Sequence, residues 1–316
     1  MIQIVASLIG RAVVVVAAAA FITFALLWNA PGDPALAIAL ARYDALVDAD
    51  LVNQVREEAG MSDGFWAAFL AWIGPLMTGD FGNSSVTGRP VLPDLLAALS
   101  YTFPLAIFAL TIGLVISLPL AVLATRYPGS LLDRFTVGLA SIGVAIPAFW
   151  LGLLLILLFA VQLSWLPAMG ARTPYHAILP ALTLGLGVAA SLTRIIRSGI
   201  LEARGKQFLP AFRRRGVAET VVARDHIAPH AAVPVVTVIG LELAFLLEGL
   251  VAVEVIFARP GFGSFLVEAI LARDYPQVQA AVIIAALIFV LINLVIDVFY
   301  RLLDPRMDVA LGGRDA

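Results

Sequence analysis

RIIRSGILEARGKQFLPAFRRRGVAETVVARDHIAPHAAVP, running from Arg194 to Pro234, is the stretch whose reading decides the fold. It carries Arg194, Arg197, Arg204, Lys206, Arg213, Arg214, Arg215 and Arg224, and a lipid core cannot hold it. Long apolar runs flank it on both sides. A basic loop between membrane spans faces the cytoplasm. Two readings of it stand: it docks a soluble partner there, or it only satisfies the inside charge bias and touches anionic headgroups.

Composition agrees with a membrane chain. Of 316 residues, 61% are hydrophobic and only 13% are charged, and the mean hydropathy is +1.00. A soluble domain of this length carries more charge and shorter apolar runs. Runs of about 20 apolar residues cross a hydrocarbon core of about 30 Å as helices. There is no cysteine, which excludes disulfides, thiolate metal sites and cysteine nucleophiles.

Working outward to the N-terminus, the first apolar run covers roughly residues 4–28 with Arg11 as its one charge. It is longer than a signal-peptide core, and Asn29-Ala30-Pro31-Gly32-Asp33 is a poor cleavage site, so a retained first span is expected. Arg11 can snorkel to the inner interface. Residues 30–97 are rich in acids and fit the outer side. Within them, residues 64–73 hold aromatics at helical spacing, as a helix lying on the membrane or packed into a small outer cap. The segment Asp80-Phe81-Gly82-Asn83-Ser84-Ser85 reads as a turn. Further runs cover about 95–125, 135–163, 176–196, 231–257 and 278–300. Pro147, in the middle of the third run, is expected to kink that helix without ending it.

Six spans place both termini on one side. With the termini inside, the inner segments hold fourteen of the Arg and Lys residues against six outside, and eight of the fourteen lie in the quoted stretch. The fold expected from this is all-α and integral to the membrane, with six transmembrane helices and both termini in the cytoplasm.

Catalytic readings fare poorly. Gly199-Ile200-Leu201-Glu202-Ala203-Arg204-Gly205-Lys206-Gln207 superficially matches a phosphate loop, but one residue too many separates its glycines and Gln207 replaces the required hydroxyl. His226 and His230 have ligand spacing for a helix, yet Pro229 lies between them and the glutamate of a zinc-protease motif is missing. His176 completes the histidines, and none lies deep in a span where a Ser–His pair would be needed. No catalytic residue and no metal site is expected. An ATP-independent channel is the rival from another class, and the long basic loop is the feature against it.

Several short motifs, in order along nearly the whole chain, resemble those of one family. They are Pro31-Gly32-Asp33-Pro34-Ala35, Gly79-Asp80-Phe81-Gly82 with Arg89-Pro90-Val91, Ile146-Pro147-Ala148-Phe149-Trp150-Leu151, Trp165-Leu166-Pro167 and Ile178-Leu179-Pro180-Ala181. Arg259-Pro260-Gly261-Phe262-Gly263, Ala272-Arg273-Asp274-Tyr275-Pro276 and Leu303-Asp304-Pro305-Arg306 follow. The chain resembles the B-type permease subunit of ABC importers for dipeptides, oligopeptides and nickel. The resemblance implies a type I importer permease fold in a bacterial inner membrane. It implies a related second permease, two ATPase subunits that bind ATP and magnesium, an extracytoplasmic binding protein, surrounding lipid and no nucleic acid. No cofactor is expected on this chain itself.

The same resemblance places an "EAA" coupling loop between the fourth and fifth spans. Its fixed glycine is Gly216; Pro210, Ala211 and Phe212 stand where Glu-Ala-Ala is usual, followed by Arg213, Arg214 and Arg215. Pro210 is tolerated in a first helical turn. In the family the fifth span lines the path. Glu242 and Glu248 lie inside that run here, and such acids face a protein interior or an aqueous cavity. Two readings stand for them: path residues favouring cationic cargo, or carboxylates hydrogen-bonded or protonated in place. Arg259, Pro260, Gly261 and Gly263 would belong to the mouth that meets the binding protein, or would hold that loop together; for Arg273 the neighbouring Asp274 favours holding. The expected organisation is a first span over 1–29, an outer loop over 30–97, and a five-helix core over 98–306, with a tail over 307–316. Within the core, the coupling loop covers 197–231 and an outer loop covers 258–277. Peptide or peptide-like cargo is expected, with nickel or a nickel chelate second.

Overall fold

A computed structural model describes residues 2–43, 47–58, 64–207 and 209–303. The tail over 307–316, with Asp304, Pro305 and Arg306, lies outside the described residues. In order, the helices are α1 (Ile2–Trp28), α2 (Pro34–Tyr43), α3 (Ala49–Glu58), α4 (Phe65–Leu76), α5 (Val91–Arg126), α6 (Leu131–Ala145) and α7 (Ala148–Leu155). Then come α8 (Ile178–Arg204), α9 (Leu209–Arg214), α10 (Glu219–Val222), α11 (Ala228–Ile256), α12 (Phe262–Leu271) and α13 (Tyr275–Leu303). No strand occurs among the described residues, only an isolated bridge between Asn83 and Pro90. Helix is what apolar sequence must adopt in lipid, where no water satisfies backbone groups.

Among the described residues, five stretches are long and apolar enough to cross a membrane: in α1, α5, α8, the run from α10 into α11, and α13. The third apolar run behaves differently from the expectation. Pro147 does not merely kink it: α6 stops at Ala145, Ile146 and Pro147 are extended with ψ of 123° and 135°, and a new helix starts at Ala148. The two halves bend by 101°. The residue before a proline is pushed out of the α region, and proline then suits the start of the next helix. After α7 the chain passes into a π-helical segment, Ile156–Gln162.

The chain forms two compact units, Met1–Thr102 with Pro260–Leu291, and Phe103–Arg259 with Ile292–Ala316. In the first, Ala35, Ile38 and Ala39 of α2 bury against Val55 of α3. Helix α4 forms as expected from its aromatic spacing and lies on the C-terminal part of α1. Phe24 stacks on Trp72 at 5.4 Å and meets Phe65 and Phe69 edge-on. Trp66 and Leu70 remain exposed.

The turn at residues 80–85 is real. The Gly82 amide donates to Asp80 Oδ1 at 2.8 Å. Ser84 Oγ and the Ser85 amide both donate to the Asp274 carboxylate, the latter at 3.0 Å. Asp274 therefore holds the turn, and the Arg273 guanidinium lies over Gly32.

In the second unit, α5, α8 and α11 share a core of Leu105, Ala109, Leu184, Val188, Leu250 and Phe257. Gly185 allows this closeness: a Cβ there would sit 2.8 Å from Ile112 Cβ and 2.9 Å from the Ala109 carbonyl oxygen.

Candidate coupling and pathway sites

Helix α9 carries the candidate docking residues. Pro210 occupies its first turn, where the missing N–H costs nothing. Gly216 has φ of +73°, the left-handed conformation that ends a helix. The Val217 amide reaches back to the Phe212 carbonyl at 3.2 Å and the Arg215 amide to that of Ala211, which satisfies the last carbonyls. Ala211, Arg214, Arg215 and Gly216 are exposed. The side chain of Arg213 lies outside the described residues.

Phe212 is not part of that exposed face. Its ring stacks on His226 with centroids 4.1 Å apart. It also packs on a buried cluster of Ala203, Leu209, Val222 and Ile227. Phe212 thus anchors α9 to the end of α8 and to the segment leading into α11. His226 serves this packing.

The eight cations of the loop separate into groups that sequence alone did not distinguish. Arg197 turns inward and forms two parallel bonds to Asp133, Nε to Oδ1 at 2.5 Å and Nη2 to Oδ2 at 2.7 Å. Arg204 donates to the Thr125 carbonyl near the end of α5. Arg224 pairs with Asp225 at 2.6 Å, and Lys206 pairs with Glu202 at 3.2 Å. The only sequence signal for the inward pair is Asp133, an acid at the edge of an apolar run.

Along α11, Glu242 is half-buried and accepts a hydrogen bond from Ser191 of α8. Glu248 is exposed, and Glu254 is fully buried. A spacing of six residues turns the helix by about 240°, so these acids cannot share one stripe.

Arg259 is 7% exposed and donates to the His176 carbonyl at 3.1 Å, with the Gly170 carbonyl at 3.5 Å. Gly261 and Gly263 are buried at the start of α12, while Pro260 is exposed.

On the acidic loop, burial pushes the Asp33 carboxyl up. Its hydrogen bond from Arg56 and those from the Leu36 and Ala35 amides outweigh this and hold it below its usual value. Asp33, Arg56, Arg42 and Glu58 line a cavity of about 960 Å³ in the first unit, beside the aromatic wall of Phe24 and Trp72. Among the described residues there is no cluster of three or more metal-ligating side chains of the His, Cys, Asp or Glu type.

Comparison with known proteins follows this geometry. The family model described as the binding-protein-dependent transport system inner membrane component matches residues 113–309. Over 281 residues the chain is 40% identical to the glutathione transport system permease protein GsiC of Salmonella paratyphi A, covering 88% of this chain and 89% of that protein. GsiC of Escherichia coli K12 is 38% identical over the same share of each chain. Among solved structures, an inward-facing MetNI methionine ABC transporter chain matches with a TM-score of 0.58 at 20% identity. That match covers 67% of this chain and 97% of the other, and it is a likeness of fold.

Proposed function

We propose, from the premise that this chain belongs to the family of binding-protein-dependent transport system inner membrane components, that it carries a peptide-like solute inward by alternating access. The chain is the permease subunit of an ABC importer, a multi-pass protein of the bacterial inner membrane and not an ATPase. The observation that carries the cargo reading is the similarity to glutathione permeases over most of the chain. Glutathione is itself a tripeptide, with free ammonium and carboxylate groups. Relatives of this degree favour peptide-like cargo over nickel.

In this reading ATP and magnesium bind two partner ATPases, and α9 docks on them through Ala211, Arg214, Arg215 and Gly216, with Arg213 in the same helix. Pro210 starts that helix and Phe212 anchors it. A second, related permease completes the pathway. Glu248 faces that pathway, because an exposed carboxylate at membrane depth is expensive against lipid, and it favours the ammonium end of the cargo. Glu242, bonded to Ser191, sets the α8–α11 contact. The binding protein meets the outer mouth at Pro260, with Arg259, Gly261 and Gly263 as the scaffold beneath.

The reading has six spans with both termini inside, and contact parity supports the six. Ser84 and Ser85 bind Asp274, so the chain between them crosses an even number of times. Asp133 binds Arg197, with the same consequence. Both conditions hold only if the bent pair α6–α7 counts as one crossing, alongside the five straight candidates.

Purification of the cognate binding protein with its native cargo tests the cargo assignment. Calorimetry with glutathione, di- and tripeptides and nickel is expected to show tight binding of one of the peptides. A binding protein that takes nickel alone would overturn the peptide reading and leave the importer assignment untouched.

A further inference from the structure

The Asp133–Arg197 pair lies where three helix ends meet. Asp133 is 2% exposed, and besides taking both bonds from Arg197 it accepts the Gly129 amide at 2.8 Å. Ser130 caps α6 by accepting from the Asp133 amide at 3.3 Å. The whole turn between α5 and α6 is thereby knit to one point on α8. About two helical turns further on, Arg204 of α8 binds the Thr125 carbonyl in the last turn of α5, where a cation complements the helix end. The same segment of α8 holds the docking helix: Ile200 and Ala203 pack with Leu209 and Phe212. On its remaining side Gly199 lets α11 approach, since a Cβ there would lie 3.2 Å from the Ala231 carbonyl oxygen.

A buried ion pair is in itself weak evidence of a stability role, because apolar side chains of the same volume serve as well. What two parallel bonds add is direction, fixing angle as well as distance. A contact that carries motion needs that property. The pair also joins α8, just before the part that packs on α9, with the turn that connects α5 and α6.

We infer that Asp133 and Arg197 are the positioning residues that carry movement of α9 to α5 and α6, and that they hold this block rigid throughout the transport cycle. The inference rests on α9 being the ATPase-docking helix. The block moves as a body and the pair never opens.

Reconstituted full complexes test it. Asp133→Asn and Arg197→Gln are expected to co-purify with the ATPase subunits at the normal yield. Stimulation of ATP hydrolysis by loaded binding protein is expected to fall at least tenfold, and uptake with it. The charge-exchanged double variant, Asp133→Arg with Arg197→Asp, is expected to regain part of the stimulation; normal ATPase co-purification of the single variants is what separates this loss from a merely structural one. The chain has no native cysteine, so Asp133→Cys with Arg197→Cys, joined by a short bifunctional thiol reagent, holds the contact shut. That cross-linked complex is expected to import. Normal stimulation in both single variants would overturn the inference, and so would arrest of import on cross-linking. If the single variants fail to assemble, the cross-linked variant decides alone. Failure of the docking premise has a separate signature: Arg214→Glu with Arg215→Glu would leave ATPase co-purification intact, and this inference would fall with it.

Discussion

At the scale of single residues, Phe212 carries the most weight. The sequence by itself offers no reason for a phenylalanine there. The structure supplies one in the His226 stack and the Leu209 cluster. Truncation of a half-buried aromatic costs about 1–3 kcal/mol on area grounds. Phe212→Ala is therefore expected to loosen α9 and cut ATPase co-purification several-fold, while Phe212→Leu retains most of it; affinity pull-down at matched expression measures both. The arginines beside it were readable as a class and not as individuals. Hydropathy and charge are local properties, so the loop announced itself. Arg197 needed a partner 64 residues away to reveal its inward role, and no local pattern contains that information. Glu242 and Glu248 differ: their depth is visible in the apolar run and their six-residue spacing already sets them on different faces, but which of them is exposed follows only from the structure.

At the scale of elements, the long helices were legible because lipid leaves apolar sequence few alternatives. Helix ends were less so. Helix α8 runs to Arg204, beyond the end of its apolar run, since charged residues are free to stay helical outside lipid when they find partners such as Asp133 and Thr125. The break at Pro147 escaped detection because a proline within a span reads the same whether neighbours keep the helix going or let it turn. What binds the elements is close approach. Gly185 sits against Ala109 and Ile112 of α5, and overpacking of such a contact costs about 1–3 kcal/mol. Gly185→Val is expected to lower the melting temperature of the detergent-solubilised complex by several degrees. Val at the neighbouring Gly187, where an added Cβ meets nothing within 4 Å, is expected to have a far smaller effect.

At the scale of the whole molecule, the family motifs acquire a physical meaning. Gly79–Gly82 and Ala272–Pro276 were separate signatures in the sequence; in the structure Asp274 ties them together through Ser84 and Ser85. Arg273 lies over Gly32 of a third motif. Arg259, which sequence alone left open to a partner, donates to the carbonyls of Gly170 and His176. The account that results is a permease whose inner block, built on α8, takes its movement from docked ATPases through α9. Its central claim is that passage through this chain is driven, not passive. The most direct measurement is uptake of the identified cargo into proteoliposomes holding the complete complex, with ATP and binding protein each supplied or withheld. Accumulation against a gradient only when both are present is the predicted result; flux through the isolated chain without ATP would contradict it.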